Sequence, residues 1–220
     1  MASRRLYYDG CAAAHALDLV GERWALLVVR ELMLGPKRFT DLRDGLSQAS
    51  PNVLAQRLRD LEEAGIVQRR KLPPPAASAV YELTEWGLEL EPVLQTLGRW
   101  AARSPHLPEG ADIGLDSFVL AMRTMFNSGR AAGWRASFEL RLGVHTFRVR
   151  IADGEFDIVR GAAEHPDAVV VGEVEVLAGV VFGGQPLAGA THGGQLEVTG
   201  DDDAVARFVT LFPLPERVPA

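Results

Sequence analysis

Cysteine is almost missing from this 220-residue chain: Cys11 stands alone. One cysteine excludes an intramolecular disulfide framework and any cysteine-based zinc site, and leaves a free thiol or one paired between chains. The histidines, at 15, 106, 145, 165 and 192, are scattered without metal-ligand spacing, so neither a metal nor a cofactor is expected. Phosphate-binding glycine loops and nucleophile motifs are missing too. Acidic runs such as Asp201-Asp202-Asp203 suit helix capping better than catalysis, and no enzyme is expected. No stretch approaches the ~18 consecutive apolar residues of a membrane helix. The start, "MASRRLYYDGC", has arginines but no apolar run after them, which is not a signal-peptide pattern. The expectation is a cytoplasmic globular protein with no membrane partner.

What is present is ordinary in amount and uneven in distribution. Hydrophobic residues make up 47% and charged residues 24%, enough for a sizeable core. The formal net charge of −6 is not shared equally. Residues 1–104 hold 14 basic and 13 acidic side chains, whereas residues 105–220 hold 9 and 16. The acidity belongs to the second half, so whole-chain charge is a poor guide to what the first half binds. The segment "RSPHLPEGADIG" (103–114), with its prolines and glycines, is the expected linker between domains at 1–104 and 112–220.

In the first half, "GERWALLVVRELMLGP" reads as a helix ending at Gly35-Pro36, with Trp24, Leu27, Val28 and Leu32 on one face. A short helix is expected around "FTDLRDGL". Ser50-Pro51 supplies an N-cap and a first-turn proline. Leu54, Leu58 and Leu61 then form a buried stripe, and Gly65 closes that helix. A hairpin follows, "IVQRRKL" and "AVYELT" around the prolines at 73–75. Thr84 caps a last helix bearing Leu90, Val93, Leu94, Leu97 and Trp100, which Pro92 should kink or delay. Helix, helix, helix, hairpin, helix is the order of a winged helix-turn-helix.

The second half reads as α+β. "LDSFVLAMRTMF" is an amphipathic helix. "RASFELRLG" and "TFRVRIA" alternate like strands, and Asp153-Gly154 marks a tight turn into "EFDIV". "DAVVVG" is a strand, "EVEVLAGVVFGG" a helix and "GGQLEVTG" a strand. A closing helix capped near Asp201 buries Val205, Phe208, Leu211 and Phe212. The run "GGQPLAGATHGG" reads as turns, or as room for a ligand.

Polar residues at the start of the third helix suit base edges: Ser50, Asn52 and Gln56, with Arg59 on the same exposed side. Arg57 flanks the apolar stripe and can reach phosphate or base. Lys37 and Arg38 before the short helix, and Arg69, Arg70 and Lys71 on the hairpin, are the phosphate candidates. Asp60, Glu62 and Glu63 lie toward the end of the helix that normally leaves the groove.

Three spaced stretches, "ALDLVGERWALLVVRELMLGPKRFTDLRDGL", "SPNVLAQRLRDLEEAGIVQRR" and "YELTEWGLELEPVLQTLGRW", together resemble the HxlR family of bacterial winged-helix regulators from Cys11 to Trp100. The resemblance implies a homodimer built on the terminal helices, each protomer reading a major groove of double-stranded DNA. In that family a cysteine placed like Cys11 often senses oxidants or electrophiles. Arg4, Arg5 or His15 would supply the cation that lowers its pKa. The plain alternative is a small hydrophobe buried in the dimer helix.

The stretch "EHPDAVVVGEVEVLAGVVFGGQPLAGATHGGQLEVTGDDDAVARFVTLF", within roughly 112–214, resembles the sterol carrier protein family. That resemblance implies a curved sheet packed by helices around an apolar tunnel. Phe118, Met122, Met125, Phe126, Phe138, Phe147, Val180 and Phe182 are the candidate lining, with plain core packing as the alternative. The expected fold class is α+β: an N-terminal winged helix-turn-helix plus a C-terminal sterol-carrier-protein-like α/β sheet domain. The expected function is a homodimeric DNA-binding regulator, a repressor, sensing a small apolar or lipid-like effector. Two alternatives stand beside it: a thiol-based sensor acting through Cys11, and a lipid-binding protein whose winged helix serves only dimerisation.

Overall fold

The computed structural model describes residues 6–73, 78–108, 110 and 112–219. Arg4, Arg5 and the wing-tip prolines 74 and 75 lie outside them. The chain divides into two compact units, Met1–Leu94 and Gln95–Ala220. The division falls ahead of the 103–114 segment, and hydrogen bonds explain why. Arg99 donates to the Thr124 carbonyl, Arg103 to the Glu216 carbonyl, and the Val218 N–H to the Arg103 carbonyl. The residues just before the expected linker are thereby fastened to the second unit.

The first unit runs α1 (Ala12–Val20), α2 (Ala25–Leu32), α3 (Phe39–Gly45), α4 (Pro51–Glu63), β1 (Val67–Lys71), β2 (Ala79–Leu83), α5 (Glu85–Leu88) and the start of α6 (Glu91–Ala101). The start of α4 is set locally. The Ser50 hydroxyl accepts from the Val53 N–H at 3.4 Å, and Pro51 occupies the first turn, where a missing N–H costs nothing. Leu54, Leu58 and Leu61 are then fully buried, each burial stabilising by about 1.5–3 kcal/mol. Gly65 ends the run at φ +72°, a left-handed conformation open to glycine.

Two expectations about the helices change. Trp24 is not on the face of α2; it sits before the helix at φ +78°, half-exposed, with the Arg23 guanidinium 5.1 Å from its ring centre. The buried face is Ala25, Val28, Val29 and Leu32, with Leu27 only partly covered. The expected last helix is two helices. Thr84 caps α5 by accepting from the Gly87 N–H at 3.0 Å, and Pro92 lies in the first turn of α6. A Cβ on Gly87 would meet the Ile66 carbonyl oxygen at 2.1 Å, so only glycine lets α5 approach the backbone just before β1 this closely. Along α6 Leu94 is buried, while Val93, Leu97 and Trp100 are 51%, 44% and 72% exposed.

The second unit continues with α7 (Leu115–Met125), β3 (Ala136–Leu142), β4 (His145–Ala152), β5 (Glu155–Arg160), β6 (Ala168–Gly172), α8 (Val174–Val181), α9 (Leu187–His192), β7 (Leu196–Gly200) and α10 (Asp202–Phe208). Strands lie in the order β5-β4-β3-β6-β7, with only β3 and β6 parallel. The turn between β4 and β5 is Asp153-Gly154, both at positive φ. Asp201 caps α10 by accepting from the Ala204 N–H at 2.9 Å. Alternation buries one face: Phe138 and Leu140 of β3, Phe147 and Val149 of β4, Ile158 of β5 and Val170 of β6. Within "GGQPLAGATHGG", expected as turns or as room for a ligand, Leu187–His192 form α9. Ala190 is fully buried there, and small side chains did not register as an apolar stripe.

Candidate nucleic-acid interface

α3, α4 and the β1–β2 hairpin place most of the expected DNA-facing residues. Ser50, Asn52, Gln56 and Arg59 are all exposed on α4. The Ser50 hydroxyl is already engaged as the helix cap. Gln56 and Arg59 are linked, the Arg59 guanidinium donating to Gln56 Oε1 at 2.7 Å, and Gln56 Nε2 in turn donates to Asp60 Oδ1 at 2.7 Å.

Arg57 differs from the other α4 candidates. Its side chain is only 18% exposed and is paired, 3.0 Å from Asp60 and 3.6 Å from Glu22. Its guanidinium is therefore neutralised by two carboxylates of its own unit. Lys37 is also turned inward. Its ammonium lies 2.7 Å from Glu31, a carboxylate 3% exposed that also takes Arg30 at 2.8 Å. An ammonium so placed serves α2 and α3, because a buried carboxylate without partners is costly.

The backbone of Lys37 does bring the outward cations together. Its N–H donates to the Tyr81 carbonyl at 2.9 Å, and the Tyr81 N–H returns the bond at 2.8 Å. This bridge places Arg38 beside the hairpin, where Arg38 Nε donates to Ser78 Oγ at 3.1 Å. Arg69 lies opposite Tyr81, with its guanidinium 5.9 Å from the Tyr81 ring centre. Lys71 is exposed, whereas Arg70 is held by Glu82 through two bonds of 2.8 and 2.9 Å. The Arg70 guanidinium keeps the Glu82 carboxyl below the usual carboxylate range. Arg38, Arg69 and Lys71 thus form an outward basic edge, and Asn52, Gln56 and Arg59 a polar helix face.

These are the elements of a helix-turn-helix with a wing, and comparison with known proteins agrees. Residues 19–107 match the family described as HxlR-like helix-turn-helix. The HTH-type transcriptional regulator YodB of Bacillus subtilis is 41% identical over 86 residues, covering 39% of this chain and 77% of YodB. The chain belongs to the HxlR family. The uncharacterized HTH-type transcriptional regulator Rv3095 of Mycobacterium tuberculosis is 37% identical over 108 residues, 49% of this chain and 68% of Rv3095. A solved structure of the reduced form of YodB from B. subtilis covers 47% of this chain and 100% of its own, at 36% identity and a TM-score of 0.40. This HxlR protein is a DNA-binding helix-turn-helix transcriptional regulator, and no helix among its described residues is long and apolar enough to cross a membrane.

Sequence reasoning missed Glu22, Glu31 and Asp60 as organisers of the cations. Asp60 was legible in principle, standing four residues after Gln56 and three after Arg57. Glu31 was not, because nothing local distinguishes a buried helical glutamate from an exposed one.

The remaining candidates lie elsewhere. Cys11 is exposed at the start of α1. Its thiol pKa is lowered by the backbone N–H groups of Ala14 and Ala13; of the expected cations, Arg4 and Arg5 lie outside the described residues. In the second unit Phe118, Met122, Phe138 and Phe147 are fully buried, and Met125 and Val180 nearly so. Phe118 packs edge-on against Phe182 at 5.9 Å, and Phe126 stacks on Phe156 at 5.2 Å. A cleft of about 550 Å³ lies against the opposite side of the sheet, lined by Arg135, Ser137, Arg148, Arg150, Asp157 and Asp167. Another of about 770 Å³ is lined by Arg99, Trp100, Arg103 and Glu216 among others. None of the eight expected lining residues borders either cleft.

Proposed function

We propose that this HxlR protein is a homodimeric repressor that reads duplex DNA with α4 and grips phosphate with the hairpin edge, while its second unit responds to a small effector. The observation that carries the DNA reading is the separation of cations. Lys37 and Arg57 are satisfied by carboxylates of their own unit, whereas Arg38, Arg69 and Lys71 face outward beside the exposed Asn52–Gln56–Arg59 face. Outward cations position a duplex and polar side chains on a groove-facing helix discriminate bases. The dimer is supported by the apolar side chains of α6, Val93, Leu97 and Trp100, which follow helical spacing yet are exposed in the single chain. Two recognition helices must match half-sites about 34–36 Å apart or a multiple of that, so a shift between protomers changes affinity.

Titration of the full chain with duplex DNA from upstream of its own gene, at several salt concentrations, tests the reading. Tight binding that weakens steeply with salt is expected. Absence of binding, or binding indifferent to salt, overturns it. Sedimentation of the protein and of Trp100→Glu tests the dimer: the wild type should be dimeric and the variant monomeric.

The sterol-carrier resemblance supports an apolar effector, which would have to open the closed aromatic face of the sheet. Native mass spectrometry of the purified protein should show a bound apolar molecule whose removal alters DNA affinity. Bound lipid without salt-sensitive DNA retention would favour the carrier reading instead.

A second reading is favoured by Cys11. Its exposed thiol, acidified at a helix start, is a thiolate more readily than free cysteine. In this reading a quinone alkylates the thiolate and DNA is released. Release that persists in Cys11→Ser disposes of it.

A further inference from the structure

We propose that Asp60 is the positioning residue of the reading face: it fixes the amide orientation of Gln56 and holds Arg57 away from the phosphate backbone. The proposal rests on the DNA reading above. Five side chains form one line across the unit, in the order Glu22, Arg57, Asp60, Gln56, Arg59, and Asp60 is its centre. One Asp60 oxygen accepts from Gln56 at 2.7 Å and the other lies 3.0 Å from Arg57.

The consequence for Gln56 follows from its donor and acceptor inventory. Its nitrogen faces the Asp60 carboxylate and its oxygen faces the Arg59 guanidinium. Reversing the amide would set oxygen against carboxylate and N–H₂ against guanidinium, two repulsive contacts. Gln56 therefore offers a base one N–H and one oxygen lone pair in a single fixed order. A glutamine so arranged matches the paired acceptor and donor of adenine in one orientation. Arg57 is governed by the same carboxylate. With its charge compensated by Asp60 and Glu22, it contributes little to sequence-independent attraction. Specificity is raised from both sides, by a fixed reader and a withheld cation.

The test uses the full chain and a randomised duplex library, with retained sequences counted for wild type, Asp60→Ala, Asp60→Asn, Gln56→Ala and the Gln56→Ala/Asp60→Ala double variant. Asp60→Ala should flatten base preference by on the order of tenfold at the position that Gln56→Ala also flattens. It should also tighten binding to a scrambled duplex and steepen the log–log salt dependence by about one unit as Arg57 is freed. Asp60→Asn, which keeps an oxygen for Gln56 but no charge for Arg57, should steepen the salt dependence with less loss of preference. It serves the same comparison where the alanine variant melts early. A merely structural role would weaken all sequences together and leave preference and salt slope unchanged. Unchanged preference in a folded Asp60→Ala protein overturns the proposal, and so does a further loss of base preference when Asp60→Ala is added to Gln56→Ala. If the wild type retains no duplex, the DNA reading itself has failed; retention with an Asp60-independent preference defeats this inference alone.

Discussion

The reading face of α4 and the aromatic face of the β3–β7 sheet are both dense with contacts, of opposite kinds. On α4 the contacts are charged and at the surface, and each is worth a few tenths of a kcal/mol, about what an i,i+4 pair supplies in water. In the sheet unit Phe138, Phe208 and Phe212 pack at ring separations of 4.8 and 5.3 Å and are all but fully buried. Each aromatic there stabilises by several kcal/mol. The difference teaches that a surface meant to exchange partners is held by weak directional pairs that another partner can replace, whereas the sheet face is closed by area. An effector for the second unit must open that closed face or use a polar cleft outside it.

The comparison breaks most visibly at Phe208. Phe208→Ala should cost about 3–5 kcal/mol in urea unfolding followed by circular dichroism. A loss under about 1 kcal/mol would mean that the aromatic face has slack, and hence room for a ligand.

Next comes the buried carboxylate of the first unit. Glu31→Ala leaves Arg30 and Lys37 without their shared acceptor and should cost about 3 kcal/mol of stability, with Glu31→Gln costing less.

The division between inward and outward cations gives a smaller effect, read in binding. Arg69→Ala and Lys71→Ala should each reduce the log–log salt dependence of DNA affinity by about one unit. Lys37→Ala should leave that slope unchanged. An equal change at Lys37 would erase the distinction.

The smallest effect is a pH dependence. The Glu139 carboxyl is held below the usual range by the Ala163 N–H, then by Arg141. Its stabilisation is complete above the unfolded-state pKa and disappears as the pH falls through the lowered folded value. Acid titration of the urea midpoint should show a loss below the ordinary glutamate range that Glu139→Gln lacks.

Much of the fold was legible because its causes are local. Ser50-Pro51 starts α4 by capping and Gly65 stops it by its left-handed φ. Leu54, Leu58 and Leu61 define its buried stripe, and Asp153-Gly154 turns β4 into β5. Those features need only the residues next to them. α9 escaped because its side chains are too small to show a period, and the break between α5 and α6 because capping by Thr84 extends only one turn.

By itself, then, the sequence determined the start, stop and buried stripe of α4, the turn between β4 and β5 and the exposed polar face that marks a groove reader, since periodicity and capping act within a few residues. Only the tertiary structure decided which cations are free. Lys37 and Arg57 look like Arg38 and Lys71 in the chain, but Glu31, Glu22 and Asp60 claim the first two. The availability of a charge depends on which carboxylates share its space, a property of three-dimensional neighbours that composition and spacing do not carry.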